Sequence, residues 1–83
     1  MKRTSKTQAR NLIGGRVRKA RLRSAPPVSQ EDLAGKLAAQ GILLDRTAVS
    51  RIENQDRYVI DYEAAALAKV LKVSVAWLFG EVE

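Results

Sequence analysis

The segment from Ser29 to Asn54, SQEDLAGKLAAQGILLDRTAVSRIEN, restricts the possible folds more than any other part of the chain. Ser29 offers an oxygen acceptor at a helix start, and Asp32 follows three residues later, the spacing of a reciprocal cap. Leu33 and Leu37 recur at i and i+4, so this helix buries one face. It runs to about Gln40, where Gly41 supplies the left-handed residue that ends it. A turn of Ile42, Leu43 and Leu44 is apolar enough that part of it must pack down. Asp45 then caps another helix, Arg46 to about Asn54. At about 100° per residue its side chains separate cleanly. Val49 and Ile52, with Ala48 beside them, point one way, and Arg46, Thr47, Ser50 and Arg51 point the other.

The flanking segments are helical too. Asn11 can cap a helix running to about Arg23, with Ile13, Val17 and Ala20 as its buried stripe, and Pro26-Pro27 ends it in an extended linker. Asp61 caps a helix from Tyr62 to about Lys72 with Leu67, Ala68 and Leu71 inward. Ser74 caps a short last helix, Val75 to Phe79, stopped by Gly80. Trp77, Leu78 and Phe79 read as core, with a dimer surface as the alternative for this apolar end. No strand pattern is convincing, although Tyr58-Val59-Ile60 could be briefly extended. The expected fold is all-α: five helices in one domain over residues 11–83, preceded by a basic arm over residues 1–10 that has no hydrophobic periodicity.

The chain has 83 residues and neither Cys nor His, which removes disulfides, thiol and imidazole catalysis, and Cys/His metal clusters. No nucleophile–base pair, phosphate-cradling glycine loop or metal-ligand spacing is present, so no enzyme, cofactor or metal is expected. No run nears the ~20 apolar residues of a membrane span, and no apolar segment follows the basic start, so a cytoplasmic address is expected. The net charge of +6 is unevenly placed. Nine Lys or Arg and no acid lie between Met1 and Arg23, whereas nine acids and six bases follow. That asymmetry fits a polyanionic partner on the N-terminal side, the plainer alternative being a tail kept for solubility.

A helix enters the ~12 Å wide major groove of DNA only if it projects from its supports. Arg46 to Asn54 has the required division between an anchored and a free face. Ala34 falls where the second helix must let the third cross closely, and Gln30 would sit over a sugar-phosphate backbone. Four fragments in order, IGGRVRKAR, SQEDLAGKL, AVSRIEN and DYEAAALAKVLKVSVAWLFG, resemble the phage-repressor and Cro-type helix-turn-helix regulators, over about Ile13 to Gly80. The resemblance implies a compact five-helix, lambda-repressor-like domain whose third helix reads bases. It also implies a second helix opening with Ser29 and Gln30, and an ion pair between Arg21 and Glu53. The chain departs from the compact pattern by about five extra residues between Leu37 and Val49, and by a first connection lengthened at Ala25-Pro26-Pro27 that a surface loop tolerates; the longer turn and the Asp61-Tyr62-Glu63 start of the fourth helix are similar to a subset of that family.

Side-chain chemistry assigns the roles. Arg46 and Arg51 suit bidentate contacts to guanine, Thr47 suits a thymine methyl or a base edge, and Ser50 is the weaker reader. Asn54 and Arg57 suit phosphate clamping. The expected partner is a double-stranded operator bound by a homodimer, because paired half-sites lie ~34 Å apart. Two other readings stay open: an antitoxin that uses the same fold for autoregulation, and an adaptor that binds protein or RNA.

Overall fold

Helix α1 (Gly14–Arg23) begins under the control of a residue three positions upstream. Asn11 Oδ1 accepts the backbone N–H groups of Ile13 (3.1 Å) and Gly14 (2.8 Å), and its amide nitrogen donates to the carbonyls of Ile52 and Arg57. Ile13, not Asn11, holds the cap position, so Asn11 binds the helix start from two residues further out, and it also cross-links that start to the segment after the third helix. Ile13, Val17 and Ala20 are buried as their spacing requires. The computed structural model describes residues 9–83, so most of the expected arm, residues 1–8, lies outside the described residues.

Helix α2 (Gln30–Ala39) carries both halves of the cap that Ser29 and Asp32 promised. The Ser29 hydroxyl accepts from Asp32 N–H at 2.9 Å, and the Asp32 carboxylate accepts from Ser29 N–H at 3.2 Å, so the shorter acid still reaches. Leu33 and Leu37 are buried, and Gly41 (φ +82°) ends the helix with the backbone sign that disfavours a Cβ. Because α2 stops at Ala39, the extra residues belong to the connection, 40–45. Ile42 N–H donates back to the Leu37 carbonyl, Leu44 is buried, and Leu43 projects at 85% exposure.

Helix α3 (Arg46–Glu53) starts at Asp45, whose carboxylate accepts from Ala48 N–H at 2.8 Å. Helix α4 (Asp61–Leu71) corrects an expectation. Ile60, not Asp61, holds the cap position, and since its side chain cannot accept a hydrogen bond, only the reverse half of a capping box exists: Glu63 Oε1 accepts from Ile60 N–H at 3.2 Å. Asp61 lies inside the first turn, where its charge suits the helix dipole. Helix α5 (Val75–Leu78) is capped by Ser74 as expected.

The five helices close around Val17, Leu33, Leu37, Val49, Ile52, Leu67 and Leu78, all fully buried. No strand forms among the described residues, Tyr58 to Ile60 included. Trp77 and Leu78 belong to the core, but Phe79 does not, being exposed at the end of α5. Arg16 and Arg23, two turns apart on α1, hold α5 down by placing their guanidinium groups 4.5 and 4.7 Å from the Trp77 ring, an arrangement of cation–π type. No helix among the described residues is long and apolar enough to cross a membrane.

Candidate nucleic-acid interface

Helix α3 is held from behind by α1 and α2, which leaves its outer face open. Val49, Ile52 and Glu53 are buried; Arg46, Thr47 and Arg51 are exposed; Ser50 and Ala48 are intermediate. One turn thus separates the anchoring residues from the free ones. Ala34 is half-buried against the core, compatible with a close approach of α2 to the α3 side.

The tightest support comes from α1. A Cβ built on Gly14 would run into the Ile52 carbonyl oxygen and lie 2.9 Å from that of Glu53, so the two helices touch backbone to backbone there. One stripe further along α1, Arg21 meets Glu53 in a bidentate pair, Nε to Oε2 at 2.7 Å and Nη2 to Oε1 at 2.8 Å, with both side chains buried. Arg21 Nη1 also donates to the Val28 carbonyl. The hydrogen bond to Glu53 raises the Arg21 pKa against the opposing effect of burial, and the carboxylate charge adds to the rise. The pair implied by the resemblance is formed, and it ties α1, the α1–α2 connection and the end of α3 into one joint.

Gln30 joins the same network. Its amide nitrogen donates to Glu53 Oε1 at 3.1 Å, which fixes the side chain beside α3 and leaves the second N–H of that nitrogen for another acceptor. Ser29 is exposed next to it. The acids Glu31 and Asp32 of the same first turn lie on the other side of α2, where they line an open groove of about 940 Å³ with Arg23, Lys36 and Lys72. No residue of α3 lines that groove.

Three expected contacts are placed differently from one another. Arg46 is exposed, with no ion pair or side-chain hydrogen bond among the described residues. Arg51 is anchored instead: its Nη2 donates to the Asp56 carbonyl at 3.1 Å and its Nε lies 3.6 Å from the Asp56 carboxylate, so the guanidinium is drawn toward the C-terminal end of α3. Arg57 departs furthest from its expected role as a phosphate clamp. Its guanidinium donates to both oxygens of Glu63 (2.9 and 3.3 Å) and to the Tyr58 carbonyl, so it is neutralised and holds the 55–60 loop to α4. Asn54 is exposed at the end of α3.

Arg18 has no role that its sequence position alone announces. Gly14, Arg18 and Arg21 follow one another at i, i+4 and i+7, so they share the side of α1 that faces α3. With the outer two buried against α3, Arg18 emerges between them as an exposed cation at the border of the α3 surface. The stripe is visible in the sequence, and the Arg21–Glu53 pair implied by the resemblance already turns its side toward α3.

Compared with known proteins, the chain matches no family model, no curated protein and no solved structure.

Proposed function

We propose that this protein binds double-stranded DNA sequence-specifically as a transcriptional regulator, a repressor acting in the cytoplasm. In this reading α2 and α3 form a helix-turn-helix of the phage-repressor and Cro type, with an enlarged turn. The observation that carries it is the outer face of α3, where Arg46 and Thr47 stand free on a helix whose opposite side is locked by Val49, Ile52 and Glu53. A rigid projecting helix with an unpaired guanidinium at its N-terminal end is the arrangement that direct readout needs. Arg46 is the principal reader, donating to the O6 and N7 atoms of a guanine, and Thr47 contacts the neighbouring base.

Arg51, Ser50 and Asn54 have secondary parts. Asp56 restrains Arg51, so it reaches the groove edge or a phosphate at the far end of α3. Ser29, the free N–H of Gln30 and Arg18 grip the sugar-phosphate backbone on the α2 side, giving affinity without sequence choice. The Arg57 ion pair is structural and takes no part. Nothing in this arrangement draws on catalysis, a cofactor or a metal.

A selection of bound sequences from random duplexes, followed by titration of the selected site and a scrambled site, tests the reading. Arg46→Ala is expected to shrink the preference for the selected site about 10- to 100-fold, as loss of one bidentate pair implies, with an unchanged thermal melt. Equal preference in the variant and the parent removes Arg46 from the reading role. Recovery of no enriched sequence from the selection removes the DNA-reading function itself.

Removing residues 1–8 deletes Lys2, Arg3 and Lys6. Affinity for selected and scrambled DNA should fall together, and the slope of log K against log salt should flatten by about 0.9 for each cation that touched phosphate. An unaltered slope would mean that this segment never meets the backbone.

A further inference from the structure

The enlarged turn between α2 and α3 puts one large apolar side chain into solvent. Leu43 is 85% exposed, against 74% for Leu12 and Tyr62 and 71% for Tyr58, so it stands furthest out of the large apolar residues among those described. Its neighbours do the reverse: Ile42 packs against the core and Leu44 is buried. Those two side chains anchor the turn, and the one between them does not. A polar residue at 43 would serve the same backbone without leaving apolar surface in water.

The turn holds Leu43 in a fixed place. Gly41 N–H donates to the Ala38 carbonyl at 2.9 Å, Ile42 N–H donates to the Leu37 carbonyl at 3.0 Å, and Asp45 caps α3. Leu43 lines an open groove of about 480 Å³ with Ala34 and Ala38 of α2, Leu44, and Ala48 of α3. Both charged groups on that groove are engaged, Asp45 by Ala48 N–H and Arg57 by Glu63. Ala48 adjoins Arg51 at i+3, so the groove runs beside the free face of α3, and Leu43 marks its end nearest Arg46.

We propose that Leu43 selects thymine in the bound duplex by packing on its C5-methyl group. The inference rests on the DNA reading of α3 and deepens it. In the major groove of unmodified DNA, thymine alone presents a methyl, whereas the other distinguishing groups donate or accept hydrogen bonds. A leucine laid over those groups would shut them from water without a partner, so it favours the base that offers an apolar surface. The Asp45 carboxylate, two residues on, repels a phosphate, so the side chain meets a base edge and not the backbone. Arg46 follows Leu43 by three residues, which span at most ~10 Å. With side-chain reach added, the thymine lies within about four base pairs of the guanine that Arg46 reads, at ~3.4 Å per step.

Uracil is thymine without the methyl, and it isolates the contact. In the selected duplex, each thymine of that window is replaced in turn by uracil, and dissociation constants are measured for the parent and for Leu43→Ala. At one position uracil should weaken the parent about fourfold, the equivalent of one methyl group lost from an apolar contact. Leu43→Ala should bind thymine and uracil alike there, and its melt should match the parent because no buried group is removed. Thr47→Ser deletes the other methyl at this end of α3 and should keep the full uracil effect at that position. A window without thymine, a uracil scan that is the same in the parent and Leu43→Ala, or a uracil effect that disappears in Thr47→Ser instead would overturn the proposal. The guanine preference, lost in Arg46→Ala, should persist in Leu43→Ala, so failure of the methyl contact is read separately from failure of DNA reading by α3.

Discussion

Gly14→Ala should destabilise the protein by about 3 kcal/mol, at the upper end of overpacking effects, and lower its melting temperature by roughly 12–24 °C. The sign opposes the usual one, because Ala in a helix ordinarily gains ~0.5–1 kcal/mol over Gly. Here the added methyl meets two backbone carbonyls, those of Ile52 and Glu53, and a third neighbour in the Gln55 side chain at 3.1 Å. The Ile52 carbonyl already accepts from Gln55 N–H and from the Asn11 amide, so it cannot turn away without losing them, and α1 must lift off α3. Gly35→Ala supplies the contrast. No atom lies within 4 Å of a Cβ built there, on the middle of α2, and this substitution should stabilise by ~0.5–1 kcal/mol. Urea melts of both variants measure the difference. Small shifts of one sign in both would mean that α1 and α3 do not approach as closely as the backbone positions require.

The signals that were legible in the sequence are the ones that act over three or four residues. Ser29 with Asp32, Asp45 with Ala48 and Ser74 with Trp77 each bond a backbone N–H three positions on, so a local pattern identifies them. The buried stripes of α1, α2 and α3 follow from the same periodicity, and so does the split of α3 into an anchored and a free face. Asp61 was misplaced by one residue because Glu63 reaches back to Ile60 N–H, and an Ile at a cap position carries no acceptor to announce it.

Other features depend on which segments meet, and no local spacing reports that. Gly14 sits in a Gly-Gly pair that reads as flexibility until α3 is laid across it. Arg57 has a helix-reading neighbourhood in the chain, yet its partner Glu63 lies six residues on, across the start of α4, at no helical spacing. Phe79 follows two core residues but falls beyond the turn that buries them. For the candidate site, Arg46 and Thr47 stood out from side-chain type and position alone, whereas the restraint of Arg51 by Asp56 and the link from Gln30 to Glu53 needed coordinates.

Glu53→Ala is the second variant expected to have a large effect, and it separates loss of structure from loss of reading. It leaves the Arg21 guanidinium buried without its carboxylate and removes the acceptor of Gln30, while the bond from Arg21 to the Val28 carbonyl remains. Removing one member of a buried pair costs ~3–5 kcal/mol, a large share of the ~5–15 kcal/mol that holds a domain folded. Arg21→Ala should cost a similar amount, since Glu53 is then stranded. The double variant Arg21→Met with Glu53→Leu should recover most of the loss, because two apolar groups of matching size replace a pair whose desolvation offset much of its attraction. Such a recovery would make the pair a device for orientation more than for net stability, its two parallel hydrogen bonds fixing how α3 lies against α1. The recovered double variant should accordingly melt near the parent temperature yet discriminate less between selected and scrambled DNA, as α3 loses a fixed pose. Full discrimination in that variant would show that Gly14 and the core alone orient α3, and that the ion pair contributes nothing to reading.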